Sequence, residues 1–255
     1  MSETLNQQVR RYWEREACGT APVITGPLAE FSPEWFARIE EHRYAAEPMI
    51  HAVAQFTRHR GKKILEVGVG AGTDHLQWAR AGCECWGVDL TDRAIETTTQ
   101  RLALHGLASN LRRVDAETLP FEDTSFDLVY SWGVIHHADN PAAIVKEIRR
   151  VLRPGGQFVG MLYHRRSVNT FKFWVKFALL AGRPWRGFRD VIWHHMESIG
   201  TKCYEPDEVR ALFADFQGCA AWPLRTIYDT DRLPRWLARF IPDDWGWFLA
   251  VRAVR

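Results

Sequence analysis

Short apolar runs alternate with stretches of helical character between residues 61 and 163, and outside that interval the alternation stops. Such a pattern predicts a parallel sheet with helices on both faces. The first run, Ile64-Leu65-Glu66-Val67, is apolar but for one acid. It fits a strand buried on both faces and bounded by a turn. Glycines then stand at Gly68, Gly70 and Gly72, and Thr73 to Arg80 reads as a helix. Upstream, residues 1–60 are rich in helical signals. In Ser32-Pro33-Glu34 the serine suits a cap and the proline a first turn. Downstream, residues 165–203 depart from the core pattern. It resumes at Tyr204-Glu205-Pro206-Asp207-Glu208, a helix start leading into Val209 to Phe216. Two last strands are expected near Ala220 to Tyr228 and Trp247 to Val254. The chain thus divides into an N-terminal helical region (1–60), a core (61–164), an insertion (165–203) and a C-terminal part of the core (204–255).

The 255 residues are 46% hydrophobic and 25% charged, enough apolar material for a sizeable core. A formal net charge of +2 gives no global argument for a nucleic-acid binder. Cys18, Cys83, Cys85, Cys203 and Cys219 contain no Cys-x-x-Cys pair and read as reduced structural thiols. Met1 to Arg15 is polar, which argues against a secretion leader. No stretch approaches the roughly 20 apolar residues of a membrane span. The expectation is a cytoplasmic protein, with peripheral membrane association left open.

The glycines after the first strand let the backbone turn tightly and approach a ligand that a Cβ would hold off. A dinucleotide fingerprint would place its third glycine at position 73, where Thr73 stands. The pattern is instead Glu-x-Gly-x-Gly-x-Gly from Glu66 to Gly72. It is followed, in order, by Gly87-Val88-Asp89-Leu90, Val114-Asp115-Ala116-Glu117, Leu119-Pro120-Phe121, Phe126-Asp127-Leu128-Val129-Tyr130-Ser131, and Glu147 to Gly156 with its Pro-Gly-Gly stop. This series, over roughly residues 62–163, resembles the class I S-adenosylmethionine-dependent methyltransferases. The resemblance implies a Rossmann-like, doubly wound, seven-stranded α/β sheet, mostly parallel with an antiparallel last strand, carrying an N-terminal helical region and an inserted helical cap. It also implies S-adenosylmethionine as cofactor.

On that resemblance Glu66, Gly68, Gly70 and Gly72 shape the pocket for the methionyl part. Asp89 holds the ribose hydroxyls, with a helix cap as its structural alternative, and Leu90 packs on the adenine. Asp115 and Ala116 read the adenine edge, and Ser131 lies beneath the methyl. Arg43 either reaches the cofactor carboxylate or is a solvated helix charge. His136 and His137 follow the fourth strand. Either can act as a base near neutral pH, or cap the next helix, or pack under the cofactor. His164 and the His194-His195 pair are further candidates. No carboxylate pair stands beside these histidines at ligand spacing, and Ser131 occupies the place where metal-dependent relatives carry an acid, so no metal is expected.

Methyl transfer is an in-line displacement that needs alignment and exclusion of water, so the acceptor is hard to read from residue types. Ser131-Trp132-Gly133-Val134 is not the Asn/Asp-Pro-Pro-aromatic motif of DNA amino methylators, and no Pro-Cys dipeptide occurs. The pattern is most similar to the branch that methylates small molecules. Between Arg165 and Arg189 lie seven basic residues, six aromatics and no acid. Lys172 and Lys176 share a helix face there. This suggests a cap over an apolar or aromatic acceptor, with arginines for an anionic group, or else a packed helix with a solvated basic face. An RNA or protein methyltransferase and a non-catalytic S-adenosylmethionine-binding protein are the competing readings.

Overall fold

The structure, a computed structural model, describes residues 3–15, 17–231 and 234–255. A seven-stranded sheet runs β3-β2-β1-β4-β5-β7-β6. Its strands are β1 (Lys63–Val67), β2 (Glu84–Asp89), β3 (Asn110–Arg113), β4 (Phe126–Trp132), β5 (Leu152–Tyr163), β6 (Gly218–Leu224) and β7 (Phe248–Val254). The pairs β1–β2, β1–β4, β2–β3 and β4–β5 are parallel. Only β7, inserted between β5 and β6, runs antiparallel to its neighbours. Ile64 to Val67 are all buried, as a strand covered on both faces requires. Strand order reverses about β1, whose partners are β2 and β4, so a crevice opens at the carboxyl ends of those strands.

The α-helices among the described residues are α1 (Leu5–Arg15), α2 (Pro22–Thr25), α3 (Pro33–Ala46), α4 (Met49–Ala54), α5 (Thr73–Arg80), α6 (Asp92–Leu104), α7 (Pro141–Val151), α8 (Val168–Trp174), α9 (Phe188–His195), α10 (Pro206–Leu212), α11 (Ile227–Thr230) and α12 (Arg235–Ala238). The Ser32 hydroxyl accepts from the Trp35 amide, so the cap expected for α3 forms. A π-helical stretch, Val175–Leu179, continues α8. The core lies on both sides of the sheet. One cluster includes Leu65, Val129, Ile148 and Phe213, the other Ile64, Trp78, Tyr130 and Trp132.

One expected strand is shorter than the sequence suggested. Strand β6 ends at Leu224, and Ile227 begins a helical turn. The reason is a capping box. Thr226 and Asp229 satisfy each other's backbone and side-chain groups, which stops extended chain at that point.

Candidate active site

A cavity of about 840 Å³ fills the crevice. Its floor comes from the loops after four parallel strands: Gly68 to Ala71 after β1, Leu90 and Thr91 after β2, Val114 to Ala116 after β3, and Gly133 and Val134 after β4. At Gly68 φ is +85° and a Cβ would stand 2.1 Å from Val134 Cγ2. The chain can therefore turn there only as glycine. At Gly70 the nearest heavy atom to a built Cβ is Cys18 Cβ at 3.9 Å, so that backbone borders open cavity. Cys18 faces the same space. Burial, then Glu197, push its thiol up to about 12, which removes it as a thiolate near neutral pH.

Asp89 closes the loop after β2. Its Oδ2 accepts from the Gly70 amide (3.1 Å), and its Oδ1 from the Thr91 amide (3.0 Å) and hydroxyl (2.8 Å). Burial raises its pKa and these donors hold it down. Three donors fill most of the roughly four lone-pair sites of a carboxylate, leaving room for about one more on Oδ2. Asp115 accepts from the Glu117 amide (3.1 Å) and from Asn6 Nδ2 (3.0 Å). Helix α1 thereby reaches the cavity, where Asn6, Val9 and Trp13 form part of the wall.

Glu66 is buried beside His75, with Oε2 2.9 Å from Nδ1. Ser109 donates to the Cys85 carbonyl (2.7 Å), so it accepts from His75 Nε2 at 2.8 Å. Nδ1 of the neutral ring therefore carries a lone pair, a tautomer assigned from this network. Burial pushes His75 down to about 4. Burial, then Asp74, push Glu66 well above the usual carboxylate range. The shared proton thus sits on Glu66, which donates it to Nδ1.

Arg43 is no solvated charge. It lies in the wall, donating to Asp74 Oδ2 (2.7 Å) and Glu47 Oε1 (3.4 Å). Tyr130 and Tyr44 also donate to Asp74, and Trp132 donates to Glu47. Glu47, Asp74, Asp89, Asp115, Glu197 and Asp231 line the cavity against Arg43, Lys172 and Lys176, so its field favours a cation.

His137 is part of the cavity wall. Its Nδ1 lies 3.0 Å from the hydroxyl oxygens of both Thr201 and Ser198, and Thr201 also donates to the carbonyls of Met196 and Ser198. Nε2 lies 3.3 Å from Glu197 Oε2. The same carboxylate oxygen accepts from Tyr163 at 2.9 Å. Glu197 is held at φ +49°, a conformation costly for a residue with a Cβ, on the stretch leading out of α9. Nothing in the local sequence around Glu197 signals this pairing.

Three expected site residues lie outside the cavity wall. Ser131 is buried in the sheet and donates to the Val67 carbonyl (3.0 Å). Strand alternation turns it away, and Trp132, Gly133 and Val134 form the wall instead. His136 is packed on the Tyr163 ring, 3.9 Å between centroids. Burial, then His137 and Lys202, hold it neutral. Gly72 backs onto α6, where a Cβ would meet Thr98 at 2.9 Å. His164 is buried and donates to the Gly246 carbonyl, while His194 and His195 stay with Asp190 and Arg186, all outside the wall. Glu66, Gly68, Gly70, Asp89, Leu90, Asp115, Ala116, Arg43 and His137 are brought together around one space.

Four of the five arginines between 165 and 189 are held by acids. Arg165 and Arg189 pair with Glu208, Arg166 with Asp244 and Arg186 with Asp190. Lys172 pairs with Asp231 (2.8 Å) while lining the cavity beside Phe173 and Lys176.

A methyltransferase-domain family profile matches residues 65–160, the stretch that supplies most of the cavity floor. A phthiotriol/phenolphthiotriol dimycocerosates methyltransferase of Mycobacterium ulcerans is 38% identical over 141 residues, 54% of this chain and 49% of that protein. A ubiquinone biosynthesis O-methyltransferase of Stutzerimonas stutzeri is 26% identical over 148 residues, 58% and 55% of the two chains. The chain thus spans about half the length of these relatives. Among solved structures, an S-adenosylmethionine-dependent methyltransferase from Mesorhizobium loti aligns with a TM-score of 0.59 at 20% identity, over 81% of this chain and 97% of that one. Residues 65–160 thus match a methyltransferase domain, and the fold is that of the S-adenosylmethionine-dependent methyltransferases. The sheet order and its single antiparallel strand agree with that fold. A 4+2 cyclase, SpnF, shares it too, with a TM-score of 0.64 at 18% identity over 100% of this chain and 97% of that one. The cofactor of the class is S-adenosylmethionine, a sulfonium cation. The acid-rich wall and the open glycine backbone at Gly70 fit such a ligand. No helix among the described residues is long and apolar enough to cross a membrane.

Proposed function

We propose that this chain methylates a hydroxyl group of a small, largely apolar acceptor, with S-adenosylmethionine as donor. The family fold by itself does not decide the reaction, since one fold hosts many chemistries. The observation that carries this reading is His137, an imidazole in the cavity wall whose Nε2 is buried 3.3 Å from the Glu197 carboxylate. When bound, the cofactor supplies a methyl carbon activated by a positively charged sulfur. His137 takes the acceptor's proton at Nε2, and Glu197 stabilises the imidazolium so formed. Tyr163 fixes the Glu197 carboxylate. Gly68, Gly70, Asp89, Leu90, Asp115 and Ala116 hold the nucleoside and methionyl parts, and Arg43 has N–H groups left for a carboxylate. Trp132, Met161, Tyr163, Phe173, Trp247 and Phe248 line the remaining space and favour an apolar or aromatic body. The methyltransferases named for phthiotriol lipids and for ubiquinone biosynthesis support an acceptor of that kind.

S-Adenosylmethionine and S-adenosylhomocysteine are each expected to raise the melting temperature, and NAD is not. At about 100 times its dissociation constant a ligand adds about 2.7 kcal/mol. Labelled-methyl transfer into metabolite extracts, with mass spectrometry of the product, then tests the reaction. Label recovered only on nitrogen or carbon would remove the hydroxyl acceptor. Asp89→Ala is expected to weaken cofactor binding roughly ten- to a hundredfold, because it removes an acceptor for charged hydrogen bonds and frees the Gly70 amide. Calorimetric titration giving an unchanged affinity in the folded variant would take Asp89 out of the site.

A further inference from the structure

Residues 179–185, Leu-Leu-Ala-Gly-Arg-Pro-Trp, are seven consecutive exposed residues with a single charge. Leu180 is 78% and Trp185 77% exposed. A surface turn of this composition is unusual, since connecting segments are ordinarily polar. Its backbone is satisfied from within. The amides of Leu180, Gly182, Arg183 and Arg186 donate to the carbonyls of Val175, Leu179, Ala178 and Arg183. Trp174 Nε1 ties the far end to α8 by donating to the Arg186 carbonyl (2.8 Å). With these amides paired inside the turn, few backbone donors would need water were its tip to enter an apolar phase.

We propose that this turn docks the chain on an anionic lipid surface. Leucine with tryptophan is the composition that settles at the boundary of headgroups and acyl chains. Lys176 and Arg183 have no acidic partner among the described residues, and residues 165–189 contain no acid. Positive charge beside the apolar tip complements anionic headgroups. It also argues against a second copy as the occupant, because an isologous contact would bring like charges together. Lys176 is exposed and also lines the cavity, three residues before the turn. On the reading of an apolar acceptor, docking sets the cavity against the phase in which that acceptor dissolves.

The test is co-sedimentation of the full chain with phosphatidylcholine vesicles, with and without about one-third phosphatidylglycerol. Binding is expected to the anionic vesicles and to weaken at high salt. Arg183→Ser should weaken it roughly fivefold, and Leu180→Ser with Trp185→Ser by more than about tenfold. Leu104→Ser, on the exposed face of α6, should leave it unchanged. All these positions are exposed, so melting temperatures should stay within about a degree or two of the parent's. No binding to either vesicle, or binding indifferent to the turn variants, overturns the proposal. So does self-association abolished by the same variants, which would make the turn an interface between copies. The measurement uses neither cofactor nor acceptor, so its outcome is separate from that of the methyl-transfer assay.

Discussion

His137→Ala is expected to lower the rate of methyl transfer by about 10²- to 10⁴-fold, the range over which a positioned base contributes. Cofactor affinity should stay close to that of the parent, since among the described residues the side-chain contacts of this ring go to Thr201, Ser198, Glu197, Trp13, His136 and Tyr163 and not to the glycine loop, Asp89 or Asp115. Glu197→Gln should give a smaller loss, roughly ten- to a hundredfold. The amide keeps a partner for Tyr163 but removes the charge that supports an imidazolium. Single-turnover transfer of a labelled methyl, beside calorimetric titration of the cofactor, separates chemistry from binding. A variant that lacks the imidazole and still transfers at the parent rate removes His137 as base. If both transfer and cofactor binding disappear, the ring is structural.

Gly68→Ala is expected to abolish cofactor binding and to cost about 2–5 kcal/mol of stability. The left-handed conformation contributes about 1–2 kcal/mol. The clash with Val134, 2.1 Å from the new methyl, contributes about 1–3. The two parts can be divided. Val134→Ala added to Gly68→Ala removes the branched side chain from the clash and leaves the backbone strain, so it should restore part of the stability. Urea unfolding of the single and double variants reads this directly. A single variant as stable as the parent, with unchanged cofactor affinity, would show that the loop can move away.

The site was legible in the sequence wherever a residue's place follows from its own strand. The run Ile64 to Val67, the glycines at 68 and 70, and Asp89, Asp115 and Ala116 all sit where a strand ends, and strand ends converge on one edge in a parallel sheet. Direction was less legible than position. Ser131 and His136 are at the expected end of the sheet, but strand alternation turns Ser131 inward and packing on Tyr163 buries His136. Glu197 was not legible, because its contact with His137 spans 60 residues and depends on a backbone conformation that composition does not announce. Arg165, Arg166, Arg186 and Arg189 read as part of a free basic patch only because their acids, at 190, 208 and 244, lie further along the chain. The end of β6 was readable after all. Thr226 and Asp229 stand at capping-box spacing inside the stretch expected to be extended.

Helix α1 is fastened across the mouths of three strands. Asn6 donates to Asp115 and Glu117 and accepts from the Asp139 amide, Arg10 donates to Asp92, and Glu14 accepts from the amides of Asp92 and Arg93. It packs on the sheet without belonging to it, and a short helix held by side-chain contacts opens locally at lower cost than the sheet does. The consequence is one of timing. A molecule seated between α1 and the strand ends is sealed in for as long as these contacts hold together. Its residence time is then set by how often one short helix lifts, and turnover by the departure of spent donor.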